Sequence, residues 1–289
     1  MQHKNFSTKI FLDSGDPKET KQILSELGFL DGQTTNPTLI SKNPEAQKRL
    51  SDGLKFSADE VLTFYHGIVK NISEMIPDGS VSIEVYADKN TTARVMVKQG
   101  KKMFDWIHNA HIKLPITRAG LEAAEEMIKE GMRVNMTLCF SQSQAAAVHA
   151  ATKGAQKGQV FVSPFIGRLD DIGEKGMSLI ENILRLYSSG DGHVEVLTAS
   201  VRSREHFLRS LQIGSDIITA PYAILSEWSK EGAPIPKNDF KYDPPNFTTI
   251  SYQTLDLDQP WKSFDLYHPL TDKGLERFVT DWNALIKIL

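Results

Sequence analysis

The sequence predicts an α/β protein, a single (β/α)8 TIM barrel with an extra C-terminal segment and helix, and three observations carry that prediction. Short apolar or β-branched runs alternate with longer helical patterns. Eight such strand–helix pairs fit between about residues 8 and 230. A chain of 289 residues that is 40% hydrophobic suits one large barrel with a substantial core. A doubly wound sheet shares the alternation, so the count of eight is what favours a closed barrel.

In chain order the expected strands are TKIFLD (8–13), GQTTN (32–36), VSIEVYA (81–87), HIKLP (111–115), RVNMTLC (133–139), VFVSPF (160–165), HVEVLTAS (193–200) and SDIITAP (215–221). Helical patterns follow them at 17–27, 38–48 with 57–76, 91–107, 119–130, 142–153, 174–189, 203–212 and 222–230. LEAAEEMIKEG (121–131) shows the end signals well, with good helix formers throughout and Gly131 as a stop. From about 231 the style changes: EGAPIPKNDFKYDPPNF is rich in proline and polar residues and reads as irregular covering chain. The terminal segment places Leu275, Phe278, Val279, Trp282, Leu285, Ile286 and Leu289 on one helical face, as expected of a helix packed on the barrel. No internal repeat or linker divides residues 1–289, so one domain is expected.

Composition narrows the function classes. Lys plus Arg is 33 and Asp plus Glu 36, a formal charge of −3. That balance lacks the electrostatic footprint of a nucleic-acid or anionic-membrane binder, so any anion site must be local. The single cysteine, Cys139, excludes an intrachain disulfide and points to a reducing compartment. The N-terminal stretch has no apolar signal-peptide core, and no run is long enough to span a bilayer; a cytoplasmic protein is expected. Eight histidines are scattered without HxH or HExxH spacing, so no metal site is expected. A homo-oligomer is compatible with the chain but not specified by it.

In such a barrel the chemistry gathers at the C-terminal ends of the strands. The polar residues there are Asp13, Asn36, Glu84, Lys113, Asn135 with Thr137, Ser163 with Arg168 just beyond, and Ser200 with Arg202. Taken singly, Asp13 and Asn36 read as ordinary turn residues. Arg168 and Arg202 fit a surface role and a phosphate clamp about equally. His111 and Cys139 read as packing residues. Glu84 and Lys113 are harder to dismiss, since charged side chains inside apolar strands are seldom buried without a partner. A purely structural ion pair is the alternative, although such a pair is weak evidence of stabilisation.

Together these groups suit Schiff-base carbon–carbon chemistry. An amine attacks a ketone and loses water, and the resulting iminium draws off electrons when the adjacent bond breaks. To attack at neutral pH, Lys113 must shed its proton, which a desolvated barrel mouth favours and a tight carboxylate contact opposes. Glu84 is therefore expected to act on Lys113 through a water and not by direct contact. Asp13 is placed to serve as the base that takes a hydroxyl proton during cleavage.

At these residues the chain resembles the transaldolases, Schiff-base enzymes of the pentose phosphate pathway with a (β/α)8 barrel. The matching stretches are LDSGD (12–16), DGQTTNPTLI (31–40), VSIEV (81–85), IKLPIT (112–117), EGMRVNMTLCFSQSQA (130–145), VSPFIGRLDD (162–171) and LTASVR (197–202), and HPLTDKGLERFVTDW (268–282) is similar to the C-terminal helix of some members. The resemblance implies that Lys113 is the Schiff-base lysine, Asp13 the acid/base of cleavage and Glu84 that of imine formation, with Thr137 helping to hold the catalytic water. Asn36, Asn135 and Ser163 would bind the dihydroxyacetone moiety, and Arg168, Ser200 and Arg202 the substrate phosphate. It also implies sugar-phosphate substrates, such as sedoheptulose 7-phosphate or fructose 6-phosphate as donor, and no metal or organic cofactor. The related fructose 6-phosphate aldolases release dihydroxyacetone; they typically carry Gln at the position of Glu84 and Tyr at that of Phe165, so both residues here lie on the transaldolase side. Pro115 in IKLPIT and the loop RLDDIGEKG depart from the common pattern and bear on substrate range.

Overall fold

The structure, a computed structural model, describes residues 6–237, 239–242, 244 and 247–287. Eight parallel strands close into a barrel: β1 (Lys9–Asp13), β2 (Gly32–Thr34), β3 (Ser80–Glu84), β4 (Ala110–Pro115), β5 (Val134–Cys139), β6 (Val160–Pro164) and, past an outlying β7 (Glu174–Lys175), β8 (Val194–Thr198) and β9 (Ile217–Ala220). β9 pairs back onto β1 through Lys9↔Ile217 and Leu12↔Ala220. The outer elements are α1 (Pro17–Leu27), α2 (Pro37–Ser41), α3 (Pro44–Ser51), α4 (Ala58–Met75), α5 (Ala93–Phe104), α6 (Arg118–Lys129), α7 (Gln142–Ala151), α8 (Ile166–Asp170), α9 (Gly176–Tyr187), α10 (Arg204–Gln212) and α11 (Tyr222–Lys230). Among the described residues, no helix is long and apolar enough to cross a membrane.

Local signals account for most of these boundaries. Asp16 caps α1 by accepting from the Lys18 N–H, Pro17 opens the helix, and Gly28 closes it at φ 77°. Ser57 and Glu60 form a capping box at the start of α4. Gly131 follows the end of α6 at φ 77°, as its sequence predicts.

Three expectations need correction. The helix read over 38–48 is two helices, because Pro44 cannot continue α2, and Asn43 instead caps α3 by accepting from the Glu45 N–H. The stretch 174–189 begins as β7 before α9, and the additional short α8 precedes it. Several strands end earlier than their apolar runs suggest: β2 stops at Thr34 and β8 at Thr198. Beyond β2, Asn36 turns to cap α2; beyond β8, Ser200 adopts a left-handed φ of 57°, which ends the pleat.

Strand alternation sends one side-chain set into the barrel. His111 stacks on Phe161 with centroids 4.1 Å apart, and Phe161 meets Phe11 edge-on at 5.9 Å. Gly32 makes room for this plug, since a Cβ there would lie 2.5 Å from Phe11 Cζ. The aromatic layer divides the interior into two polar ends.

The chain after α11 straps the outside before crossing the mouth. Thr248–Thr249 pairs with β7 as β10, while Gln142 and Gln144 donate to the carbonyls of Ser251 and Leu266. The terminal helix α12 (Pro269–Leu285) then buries Leu275, Phe278, Trp282 and Leu285 and packs against α2 and β5. Val279 and Ile286 are half-buried, and Leu289 lies outside the described residues. Gly274 permits the close approach: a Cβ there would be 2.6 Å from both Arg168 Nη1 and Leu138 Cδ2.

Candidate active site

Strand register brings the charged residues together. Glu84 pairs with Lys113 across β3 and β4, and Lys113 with Asn135 across β4 and β5, so their inward side chains share one layer. Lys113 Nζ lies 3.0 Å from Glu84 Oε2, with both side chains only 4% exposed. This contact corrects the expectation of a water-mediated relation. Adjacent register and deep burial leave the two charges in direct contact. The contact is close but poorly aligned for hydrogen bonding; the aligned bond from Nζ goes to the Thr35 carbonyl at 3.2 Å.

Thr35 is itself held in place. Its hydroxyl donates to the Ser82 carbonyl at 2.7 Å, so it accepts from the Tyr65 hydroxyl at 2.6 Å. Tyr65 in turn accepts from the Glu84 N–H at 2.9 Å. A helix residue thus couples the backbone of Glu84 to the carbonyl that positions Lys113. Burial raises the pKa of Glu84; the neighbouring Lys113 charge and its contact, and more weakly Arg168, pull it back.

Asp13 stands at the end of β1 on the cavity wall. Desolvation raises its pKa, against the Lys113 charge and the hydrogen bond from Thr34. Thr34 Oγ1 donates to Asp13 Oδ1 at 2.6 Å and therefore accepts from Thr219 Oγ1, also at 2.6 Å. The carboxylate is thereby oriented by a two-threonine relay from β2 and β9. On the far side, Ser163 donates to Asn135 Oδ1 at 2.6 Å, and Asn135 Nδ2 donates to Ser82 Oγ at 3.0 Å. Thr137 Oγ1 is buried with no hydrogen-bond partner among the described residues.

These residues border a cavity of about 260 Å³ at the C-terminal mouth, lined by Asp13, Asn36, Lys113, Ser163, Phe165, Arg168, Ser200 and Arg202. Glu84, Asn135 and Thr137 sit in the wall behind it. Asn36 also fulfils the plainer expectation: its Oδ1 accepts from the Leu39 N–H as the cap of α2. Arg168 lies against Phe165 and Phe278, 5.2 and 5.7 Å from the ring centroids. Burial and the Arg202 charge lower its pKa, while Glu84 and Asp171 oppose the shift. Arg202, exposed, pairs with Asp171. Gly167 lets the two loops meet, since a Cβ there would be 2.5 Å from the Ser200 carbonyl.

Sequence reasoning missed several contributors. Thr34, Thr35 and Thr219 sit at strand ends and were open to the same reasoning that found Asn36. Tyr65 lies within a helix, where nothing local distinguishes it from core. Arg277 and Phe278 of α12 reach the cavity together with Lys42, and amphipathic spacing shows only that Phe278 is buried. Cys139 is buried, its thiol pushed up to about 12 by desolvation, and His111 bonds both Ser80 Oγ and the Gly158 carbonyl; both are packing residues, as expected.

The chain is similar to known proteins over almost its whole length. The sequence profile of the Transaldolase/Fructose-6-phosphate aldolase family matches residues 10–289. A probable transaldolase of Dehalococcoides mccartyi is 34% identical over 279 residues, covering 96% of this chain and 100% of that protein. One from Ruegeria is 34% identical over 282 residues, covering 97% of this chain and 100% of its own length. One from Brucella ovis is 36% identical over 274 residues, 95% of this chain and 96% of its own.

Proposed function

The chain belongs to the transaldolase/fructose-6-phosphate aldolase family, and from that premise we propose that it transfers a dihydroxyacetone unit between sugar phosphates through a Schiff base on Lys113. The observation that carries this reading is the buried Lys113–Glu84 contact, placed with Asp13 around one cavity at the barrel mouth. An ion pair so far from water is poor stabilisation but good preparation for proton transfer.

Glu84 takes the ammonium proton, and the freed Nζ attacks the ketose C2 carbonyl. Glu84 then returns a proton to the C2 hydroxyl, which leaves as water, helped by a water molecule held at Thr137, and the iminium forms. Asp13 removes the proton of the C4 hydroxyl; the C3–C4 bond breaks, and its electron pair neutralises the iminium as an enamine. The aldose departs. The enamine adds to an acceptor aldehyde by the reverse steps, and hydrolysis frees Lys113. Asn135, Ser163 and the amide Nδ2 of Asn36 would hold the three-carbon unit, and Arg168, Ser200 and Arg202 the phosphate. The donors of this class are sedoheptulose 7-phosphate and fructose 6-phosphate, with glyceraldehyde 3-phosphate or erythrose 4-phosphate as acceptor, which would place the enzyme in the pentose phosphate pathway.

The scheme uses no metal or organic cofactor, so activity should persist after chelation. Phe165 supplies an apolar wall without a hydroxyl to deliver water or protons to the enamine, which favours transfer over release. Borohydride reduction in the presence of fructose 6-phosphate should trap a three-carbon adduct that maps to Lys113; an adduct elsewhere, or none, overturns the assignment. Free dihydroxyacetone should be minor when acceptor is present, and its accumulation would indicate aldolase-type release instead.

A further inference from the structure

Outside the barrel wall, away from the mouth, α7 and the turn before β8 bring two histidines and an aspartate together. His149 lies in the last turns of α7, and Asp191 and His193 flank Gly192 just ahead of Val194. The two imidazole centroids are 4.5 Å apart. His193 Nδ1 contacts Asp191 Oδ1, and His149 Nε2 is 3.5 Å from the same oxygen. One donor atom from each residue falls within 4.8 Å of the others. His149 is only 7% exposed, yet neither of its ring nitrogens makes a hydrogen bond among the described residues. No local spacing marks this cluster, since His149 lies 42 positions before Asp191 and 44 before His193.

The surrounding bonds define what the cluster lacks. Thr152 Oγ1 donates to the Val148 carbonyl at 2.8 Å, so it accepts from His193 Nε2–H at 3.0 Å. In the neutral ring, Nδ1 then carries a lone pair directed at the Asp191 carboxylate. Two such atoms in contact require a cation between them, either a proton or a metal ion. His149 Nε2 supplies a third donor with no other partner. Gly190 leaves space beside it, for a Cβ there would come within 2.6 Å of that nitrogen. Lys153, whose charge acts on His149, is paired with Asp258 at 2.9 Å.

We propose that His149, Asp191 and His193 form a binding site for a divalent transition-metal ion of the zinc class. Two imidazoles and a carboxylate suit Zn²⁺, Ni²⁺ or Cu²⁺ better than Mg²⁺ or Ca²⁺, which prefer oxygen ligands. Bonds of about 2.0–2.2 Å in a tetrahedral site place donors roughly 3.3–3.6 Å apart. The His149–Asp191 separation already matches this. Asp191, the exposed member, is the ligand that moves back from His193 to admit the ion. Thr152 plays the part an oxygen partner plays behind a ligating histidine, fixing the ring and its tautomer. The ion ties the end of α7 to the start of β8, so it acts on the fold and not on the reaction.

The test uses untagged, full-length protein stripped with chelator and titrated with zinc chloride calorimetrically, and with cobalt chloride by visible absorption. One saturable equivalent is expected, with a rise in Tm as the folded state is favoured by mass action. Asp191→Asn, at an exposed position, should weaken zinc binding by about tenfold or more and reduce the Tm rise at the same zinc concentration. Lys113→Met should bind zinc as the unsubstituted chain does, which separates this site from the proposed active site. Equal zinc binding by the unsubstituted and Asp191→Asn chains overturns the proposal. So does a cobalt spectrum that stays that of the hexaaquo ion, a readout that needs no variant.

Discussion

The barrel carries a lysine–glutamate pair at each end, and the two differ in solvent and in what else they touch. At the N-terminal end Lys9 Nζ lies 2.9 and 3.1 Å from the two oxygens of Glu195, with the lysine side chain 40% exposed. At the mouth Lys113 and Glu84 meet at 3.0 Å, both nearly sealed from water. The N-terminal end opens on the larger cavity, about 620 Å³, yet His111 and Arg133 on its wall are already engaged. His111 uses both ring nitrogens and is held neutral by burial, its pKa near about 3, and Arg133 donates to the Ala110 and His108 carbonyls. The mouth, by contrast, holds Thr137 Oγ1 unpartnered and two carboxylates raised above their ordinary pKa. Cavity size therefore does not mark the site; unsatisfied, proton-labile groups do.

Removing each lysine separates the two pairs by the largest effect. Lys113→Met should lower transfer activity by about four orders of magnitude or more and abolish borohydride trapping. An active Lys113→Met chain would make the two pairs equivalent and sink the distinction. Glu84→Gln keeps the shape but removes the proton acceptor, and a fall in kcat of about 10²–10⁴ is expected in a steady-state assay. Arg202→Ala should raise KM for phosphorylated donors about 10–100-fold, the loss of a charge-assisted bond, with little change in kcat.

The pH dependence gives a gentler contrast. Asp13 and Glu84 must be ionised to act as bases, and burial raises both, so kcat/KM should fall on the acid side at a pH above the ordinary values of 3.8 and 4.5. Because the two carboxylates and Lys113 interact, that apparent pKa belongs to the group and not to one residue. Stability runs the other way: the native state binds these protons more readily than the unfolded chain, so their ionisation costs stability as pH rises through the raised native values. Denaturant melts of Glu84→Gln should lose part of this slope. The smallest effect belongs to Lys9→Met, which should leave activity within about twofold while costing roughly 1–3 kcal/mol of stability in denaturant melts, since Glu195 stays buried.

Much of the site was legible because barrel chemistry sits at strand ends and strand ends can be read from alternation. Lys113, Glu84, Asn135 and Thr137 fall within apolar strands, where period two places them on the inner face. Asp13 and Ser163 stand at the ends of β1 and β6, and Arg168, Ser200 and Arg202 lie in the segments after β6 and β8. Tyr65 was not legible, for its hydroxyl matters only through two bonds to residues 30 and 19 positions away. Arg277 and Phe278 were equally hidden, since an amphipathic helix records that one face is buried and not what it is buried against. The direct Lys113–Glu84 contact also escaped, because whether a water intervenes depends on register and the space between side chains.

The alternation, the eight-unit count, the helix caps and the inward facing of the charged strand residues follow from local periodicity and backbone sterics. Tertiary structure alone decided that α12 crosses the mouth, that Thr35 and Tyr65 position the lysine, and that His149 meets Asp191 and His193. Those juxtapositions arise when distant segments close around one core, and the distance between two side chains is then set by packing that no local pattern encodes.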